Sequence, residues 1–338
     1  MVKFFSSQNY FSQFAVFEKI KDMKKILVTG ANGFIGQYVY KTLLKAGKSC
    51  IGTVRSANLN SSSENIAYIP VGNIGPTTNW KIALNGVDCV IHCAGRAHIM
   101  KKMKDDDEKK IFNSVNVDGT KKLAEQAVEA GVKRLVFLSS IKVNGEGNQN
   151  KEIFRFNDTP NPKDSYSKSK LDAEKVLWKV SNELGLEIVI LRLPLVYGYG
   201  VKGNIARLTK LVKSGIFLPL GLIQNRRSMI GIDNLVDLLI CCADHPEANR
   251  KTFLVSDGED LSTPNLINYL ALSMGREPRL FPFPIFLLQF LGSIFGKREE
   301  INRLVGSLSI DNSYTKETLN WIPPISVEEG IRRMVQGK

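Results

Sequence analysis

Two residues in Tyr166-Ser167-Lys168-Ser169-Lys170 have the types and spacing for proton chemistry. On a helix, positions i and i+4 share a face, so Tyr166 and Lys170 stand together. A phenol of ordinary pKa ~10 exchanges protons poorly at neutral pH. A lysine ammonium a few ångströms away favours the phenolate and lowers that value, each unit corresponding to ~1.4 kcal/mol. The same ammonium can hydrogen-bond the ribose of a bound nicotinamide. Two serines, Ser139 and Ser140, close an apolar run at Leu138 and can hold a substrate oxygen. Far upstream, Ile26-Leu27-Val28-Thr29-Gly30-Ala31-Asn32-Gly33-Phe34-Ile35-Gly36 passes from a strand-forming run through a glycine turn into a helix start. Gly30 permits the turn, Gly33 admits a pyrophosphate to backbone amides, and Gly36 lets the helix pack close to its strand. A tyrosine–lysine pair alone is an ordinary surface feature. In chain order with a glycine loop and a strand-end serine it becomes a specific constellation, the serine hydroxyl being positioned to hold a substrate oxygen in line with the loop.

The elements that must position these groups follow from periodicity. Strand and helix patterns alternate from residue 25 to about 192, predicting an α/β, Rossmann-type, doubly wound parallel sheet. Strands are expected at Lys25–Thr29, Ser49–Val54, Ile66–Val71, Asp88–His92, Arg134–Ser139 and Glu187–Leu191. Helices are expected from Phe34 to Ala46, near 108–130, and over 165–184. Lys101–Lys110 reads as a solvated, mixed-charge loop or helix face. After Arg192 the segments shorten and prolines accumulate, which predicts a smaller substrate lobe over 193–338, some of whose segments return to the main sheet. Residues 23–192 form the dinucleotide-binding part, preceded by a loosely held extension, 1–22. Leu280–Gly296 is the most apolar stretch; it is shorter than the ~20 residues of a spanning helix, and a buried or half-buried helix is expected.

Composition narrows the classes. In 338 residues, 43% are hydrophobic and 23% charged, the balance of a globular protein that needs no stable membrane insertion. Net charge is +13, yet no zinc spacing, aromatic-interleaved basic run or helix-turn-helix supports nucleic acid, so phosphates on a substrate and cofactor are the expected partners. Five cysteines without a C-x-x-C, most in apolar runs, read as reduced thiols of a cytoplasmic protein. The three histidines are scattered, and no metal site is expected.

Over Lys24 to about Met334 the sequence resembles the extended short-chain dehydrogenase/reductase family, in its nucleotide-sugar epimerase/dehydratase branch. Besides the glycine loop and the Tyr166–Lys170 pair, the resemblance rests on Val90-Ile91-His92-Cys93-Ala94-Gly95, Asn116-Val117-Asp118-Gly119-Thr120, Arg192-Leu193-Pro194-Leu195-Val196-Tyr197-Gly198 and Leu319-Asn320-Trp321-Ile322-Pro323. It implies Ser140 as the catalytic serine with Ser139 as runner-up, Tyr166 as acid/base and Lys170 as its partner. It also implies a cofactor held by Gly30, Asn32, Gly33, Phe34, Ile35 and Gly36 at the pyrophosphate. Asn73 and Ile74 are then expected near the adenine, and Cys93, Ala94, Gly95, Asn116, Ser139, Tyr166, Lys170 and Pro194 along the remainder, Asn116 as a structural and relay residue. Arg227 is the expected diphosphate ligand of the substrate, joined by Asn204, with Arg298 and Arg303 as further phosphate contacts.

Departures from the family pattern narrow the reaction. Ile141-Lys142 stands where 4,6-dehydratases carry Asp-Glu, which excludes dehydration, and the glutamate of sugar decarboxylases is missing too. Strand two ends at Val54 and is followed by Arg55, where NAD-retaining epimerases usually have an aspartate; an arginine suits a 2′-phosphate and favours NADP over NAD. Gly72-Asn73 replaces the usual Gly-Asp. The resemblance is strongest to O-antigen (lipopolysaccharide) and capsule enzymes acting at C4 of UDP-sugars. The expected reaction is reduction of a UDP-2-acetamido-2,6-dideoxy-4-hexulose to UDP-N-acetylquinovosamine. The alternative is a UDP-glucose or UDP-N-acetylglucosamine 4-epimerase with tightly bound NAD, and a second is a non-catalytic NADP-binding regulator. Family enzymes are often dimers through two helices per subunit, one bearing the Tyr-Lys pair, so a homodimer is an expectation of the resemblance.

Overall fold

The computed structural model describes residues 25–56, 68–97, 104–147 and 153–337; the extension 1–22, part of strand three and part of the mixed-charge run lie outside them. The first part of the chain forms β1 (Ile26–Thr29), α1 (Phe34–Lys45), β2 (Cys50–Val54), β3 (Tyr68–Pro70), α2 (Lys81–Leu84) and β4 (Cys89–His92). Next come α3 (Asp105–Phe112), a π-helical segment over Asn113–Asp118, α4 (Gly119–Glu129), β5 (Arg134–Ser140) and β6 (Ile153–Phe154). They lead to α5 (Ser165–Leu184) and β7 (Glu187–Leu193). The second part supplies β8 (Leu195–Tyr197), α6 (Asn204–Ser214), β9 (Arg227–Gly231), α7 (Ile232–Asp244), β10 (Lys251–Leu254) and β11 (Asp260–Leu261). It ends with α8 (Thr263–Ser273), α9 (Ile285–Ile294), α10 (Arg298–Val305), β12 (Ser309–Ile310), α11 (Ser313–Leu319) and α12 (Val327–Gln336).

Seven strands make one parallel sheet in the order β10-β7-β5-β4-β1-β2-β3. Its central strands read as continuous apolar runs because both faces are covered. Alternation along β5 sends Val136 and Leu138 to one face, with Val39 and Leu43 of α1 and Leu235, Leu238 and Leu239 of α7. Leu135 and Phe137 go to the other, with Leu123 and Ala127 of α4 and Ala173 and Leu177 of α5. The glycine turn after β1 and the Ser139–Ser140 pair ending β5 both lie at carboxyl ends of strands, with β4 between them, along the edge where such sheets bind ligands. Chain from the second part adds α7 to one face and β10 to the edge beside β7. The rest packs around its own core of Ile205, Leu208, Leu270 and Ile331, with a three-stranded sheet β11-β9-β8 facing the first part.

Two expectations are refined. The helix near 108–130 is interrupted by the π-helical turn over Asn113–Asp118, an insertion that periodicity does not reveal. Helix α9 takes the half-buried alternative, not the buried one: of its ten residues only Gly292 is enclosed. Ile285 and Leu288 pack on the second core, and Gly292 receives Ile301, whose Cδ1 would lie 2.3 Å from a Cβ there. Only Gln289 and Ser293 of the helix are polar, so apolar side chains lie on both the stripe that packs and the face that remains in solvent. Among the described residues, no helix is long and apolar enough to cross a membrane.

Candidate active site

The glycine turn is sterically obligatory. Gly30 has φ +63°, in the left-handed region, and a Cβ there would sit 3.0 Å from Ala94 Cα. A Cβ on Gly36 would lie 2.2 Å from the Gly30 carbonyl oxygen, so α1 can begin this close to β1 only without a side chain. Gly33, at the helix N-cap, supplies no capping side chain, and the first turn contains no acidic residue. The amides of Phe34, Ile35 and Gly36 therefore start a helix whose positive end is free to meet an anion, beside exposed Asn32. This cradle fits a dinucleotide pyrophosphate.

Buried polar residues brace the turn. The Thr29 hydroxyl accepts from the Ala94 amide at 3.1 Å and bonds His92 Nδ1 at 2.7 Å, while His92 Nε2 meets the Thr120 hydroxyl at 3.1 Å. Burial, with Lys170 nearby, pushes the imidazole down to about 3, so His92 is a neutral strut. Cys93 and Ala94 are half-buried and Gly95 exposed in the segment that follows. Asn116, in the π-helical turn, clasps that segment: its Oδ1 accepts from the Arg96 amide at 2.8 Å, and its Nδ2 donates to the Arg96 carbonyl and the Ser169 hydroxyl, each at 3.0 Å. It thus ties the loop after β4 to the helix carrying Tyr166. Arg55 is exposed directly after β2, with its carbonyl accepting from the Gly72 amide at 3.1 Å. Asn73 is exposed, and Ile74 sits against Gly119, where a Cβ would lie 2.5 Å from Ile74 Cγ2. Pro194 is buried between β7 and β8.

Helix α5 starts in a capping box. The Ser167 amide donates to Asp164 Oδ1 at 2.6 Å, and the Asp164 amide donates to the Ser167 hydroxyl at 3.2 Å. Lys142, just past β5, anchors the same Asp164 through an ion pair of 2.6 Å. The strand end and the helix start are thereby locked together, which brings the Ser140 hydroxyl close enough to the Tyr166 phenol to favour its ionised form. The ring of Tyr166 lies 5.8 Å from that of Phe112. Lys170 is buried; its ammonium donates to the Leu138 carbonyl at 2.9 Å, lies 4.5 Å above the Phe137 ring, and would be 3.3 Å from a Cβ on Gly95.

Electrostatics correct the expected acidity. Burial pushes the Tyr166 phenol up to about 12; the Ser140 hydroxyl pulls it down, and the Asp164 charge adds to the rise. Lys170 is itself lowered to about 8 by burial, which Glu174 opposes. Its ammonium is aimed at the Leu138 carbonyl, so in this state it does not acidify the phenol.

The two serines separate cleanly. Successive residues of β5 face opposite ways. Ser139 donates to buried Glu174, and Glu174 also accepts from Arg192 Nε at 3.1 Å and Nη2 at 2.7 Å. Arg192 Nη1 then donates to Asn144 Oδ1 at 3.0 Å. This network escaped sequence reasoning, although Glu174 lies one further i+4 step along the Tyr166–Lys170 face. The Ser139 side chain is therefore committed to the interior.

In the second part of the chain, Arg227 and Arg303 come together but not as two free cations. Arg227 Nη1 donates to the Arg303 carbonyl at 2.6 Å and the Gly306 carbonyl at 3.2 Å, and burial with the Arg303 charge lowers its pKa. The Arg303 guanidinium pairs with Glu299 at 3.3 Å. Arg298 and Asn204 are exposed at the first positions of α10 and α6. Asn225 emerges as an unpredicted clamp, donating to the carbonyls of Leu304 and Gly306, each at 3.0 Å. Among the described residues, no cluster could hold a metal ion.

Comparison with known proteins agrees with this construction. Residues 26–256 match the model of the NAD dependent epimerase/dehydratase family. A UDP-glucose 4-epimerase of Vibrio cholerae is 42% identical over 93% of this chain and 95% of its own. An N-acetyl-alpha-D-glucosaminyl-diphospho-ditrans,octacis-undecaprenol 4-epimerase of Escherichia coli O157:H7 is 24% identical over 92% of this chain and 94% of its own. Among solved structures, UDP-N-acetylglucosamine 4-epimerase of Bacillus cereus superposes with a TM-score of 0.73 at 22% identity, covering 92% of this chain and 98% of that one. By its sequence match and the architecture just described, this chain belongs to the NAD dependent epimerase/dehydratase family of extended short-chain dehydrogenase/reductase enzymes.

Proposed function

We propose that this protein is a nucleotide-sugar 4-epimerase acting on a UDP-hexose or UDP-N-acetylhexosamine. The observation that carries this reading is the 42% identity, over nearly the whole of both chains, to a UDP-glucose 4-epimerase. The proximity of Ser140 to Tyr166, with buried Lys170 one turn along the same helix, supports it chemically. Residues 30 to 36 would hold the pyrophosphate, with Lys170 directed to the ribose. When bound, a nicotinamide supplies hydride acceptance and return at C4. Tyr166, as the phenolate that Ser140 favours, takes the O4 proton as C4 is oxidised and returns it when C4 is reduced. Ser140 holds O4 throughout, and inversion requires the 4-keto sugar to present its opposite face to the same two hydroxyls. Arg227, the first residue of β9 and hydrogen-bonded to the Arg303 carbonyl of α10, is the reading's diphosphate contact.

A second reading, reduction of a UDP-2-acetamido-2,6-dideoxy-4-hexulose by NADPH, is favoured by Arg55 exposed at the end of β2. Purified protein incubated with UDP-glucose and UDP-N-acetylglucosamine, with and without NAD, tests the first reading. Accumulation of the galacto epimers supports it. No epimer under either condition overturns it, and NADPH oxidation by the 4-keto sugar then selects the reductase.

A further inference from the structure

Helix α9 contains no charged residue, and its outer face is aromatic and aliphatic. Phe286, Phe290 and Ile294 recur every four residues and are 69%, 62% and 61% exposed. Leu287, Leu291 and Phe295 flank them, also exposed. The inner stripe is anchored, with Leu288 on the second core and Gly292 against Ile301, so the outer face is presented on a fixed support. Exposed apolar residues continue at the helix entrance. Phe281 and the Phe217–Leu222 segment are joined by backbone hydrogen bonds, Leu218 to the Arg279 carbonyl at 2.8 Å and Phe281 to the Leu218 carbonyl at 3.1 Å.

Cations rim this surface. Residues 280–296 carry no charge, Arg276 and Arg279 precede them, and Lys297 and Arg298 follow; Glu277 is the one acidic residue from 276 to 298. Arg276 and Arg279 donate to the carbonyls of Lys213 and Gly215, neutral partners that leave their charge in place. The next acidic side chains, Glu299 and Glu300, are engaged by Arg303 and Arg207. An apolar face with a basic margin is complementary to anionic lipid: acyl chains accept the rings, and lipid phosphates meet the cations. A second copy is a poorer complement, because a two-fold contact sets the same patch against itself and brings the two sets of cations together. At ten residues, ~15 Å long, α9 can lie in the interface but not span it.

We propose that the α9 face docks this protein peripherally on an anionic bilayer surface, with Phe286 and Phe290 as the inserted anchors. The proposal is independent of which sugar the enzyme takes. The test is co-sedimentation of the full chain with vesicles of phosphatidylcholine alone or with about one-third phosphatidylglycerol, at low and high salt, beside sedimentation velocity without lipid. Expected are binding to the anionic vesicles, weakening at high salt, and a loss of at least tenfold in the Phe286→Ser/Phe290→Ser variant, whose melting temperature stays unchanged. A Lys297→Gln variant should lose affinity for anionic vesicles several-fold. Absence of wild-type binding to either vesicle, unchanged binding by the double variant, or a dimer that this variant dissociates and that does not bind vesicles would each overturn the proposal.

Discussion

Replacing each of the two adjacent serines by alanine separates packing from chemistry. Ser139→Ala removes one of three hydrogen bonds to the Glu174 carboxylate, a side chain only 2% exposed. A hydrogen bond to a charged group contributes ~1.5–3 kcal/mol, and here both Arg192 contacts persist, so a loss near ~2 kcal/mol is expected. For a chain of 338 residues, unfolding entropy of ~2 cal/mol/K per residue converts this to a drop of roughly 3 °C in Tm. Turnover should stay within a few-fold of wild type. Ser140→Ala instead removes the hydroxyl that lowers the Tyr166 pKa and leaves the phenol harder to ionise. Loss of one donor to a reacting oxygen lowers kcat ~100- to 1000-fold. Its Tm should move less than that of Ser139→Ala, because the remaining Ser140 contact, from the Lys142 amide, is long at 3.3 Å. Thermal melts and steady-state kinetics on both variants suffice. A catalytic collapse in Ser139→Ala with unchanged Tm would refute the assignment of faces.

Other perturbations follow from the same geometry. Gly36→Ala forces a Cβ to within 2.2 Å of the Gly30 carbonyl and should abolish cofactor retention, read by cofactor content after gel filtration. Arg192→Met strands buried Glu174 and should cost about 3–5 kcal/mol in urea unfolding. His92 titrates at about 3 when folded, below its ordinary value, so the unfolded chain takes up the proton first and stability is lost as pH falls from near 6.5 towards 3. Between pH 7 and 4.5 this amounts to about 2–3 kcal/mol, and His92→Gln should lose that much less than wild type over the interval. Equal losses in both proteins would remove His92 as an acid-sensitive strut.

Much of this fold was legible because its signals are local. The strand–glycine–helix transition at 26–36 has one backbone solution, and α5 spans the expected 165–184. Strand-end positions were legible for the same reason, though β7 runs on to Leu193. What escaped depends on direction in space. Adjacent serines are chemically equivalent in a sequence, and only the phase of β5, set by Phe137 facing α4 and α5, turns Ser139 inward. A lysine four residues from a tyrosine guarantees a shared face but not where its ammonium points, and here it points at Leu138. Apolar composition at Leu280–Gly296 likewise implies burial only if both sides find partners, and α9 finds one.

The most direct test of the central claim is Tyr166→Phe, which deletes the proton-moving oxygen and keeps the ring beside Phe112. With the preferred UDP-sugar, the account predicts turnover reduced ~100- to 10,000-fold while nicotinamide cofactor and UDP-sugar still bind. Turnover within a few-fold of wild type would contradict it.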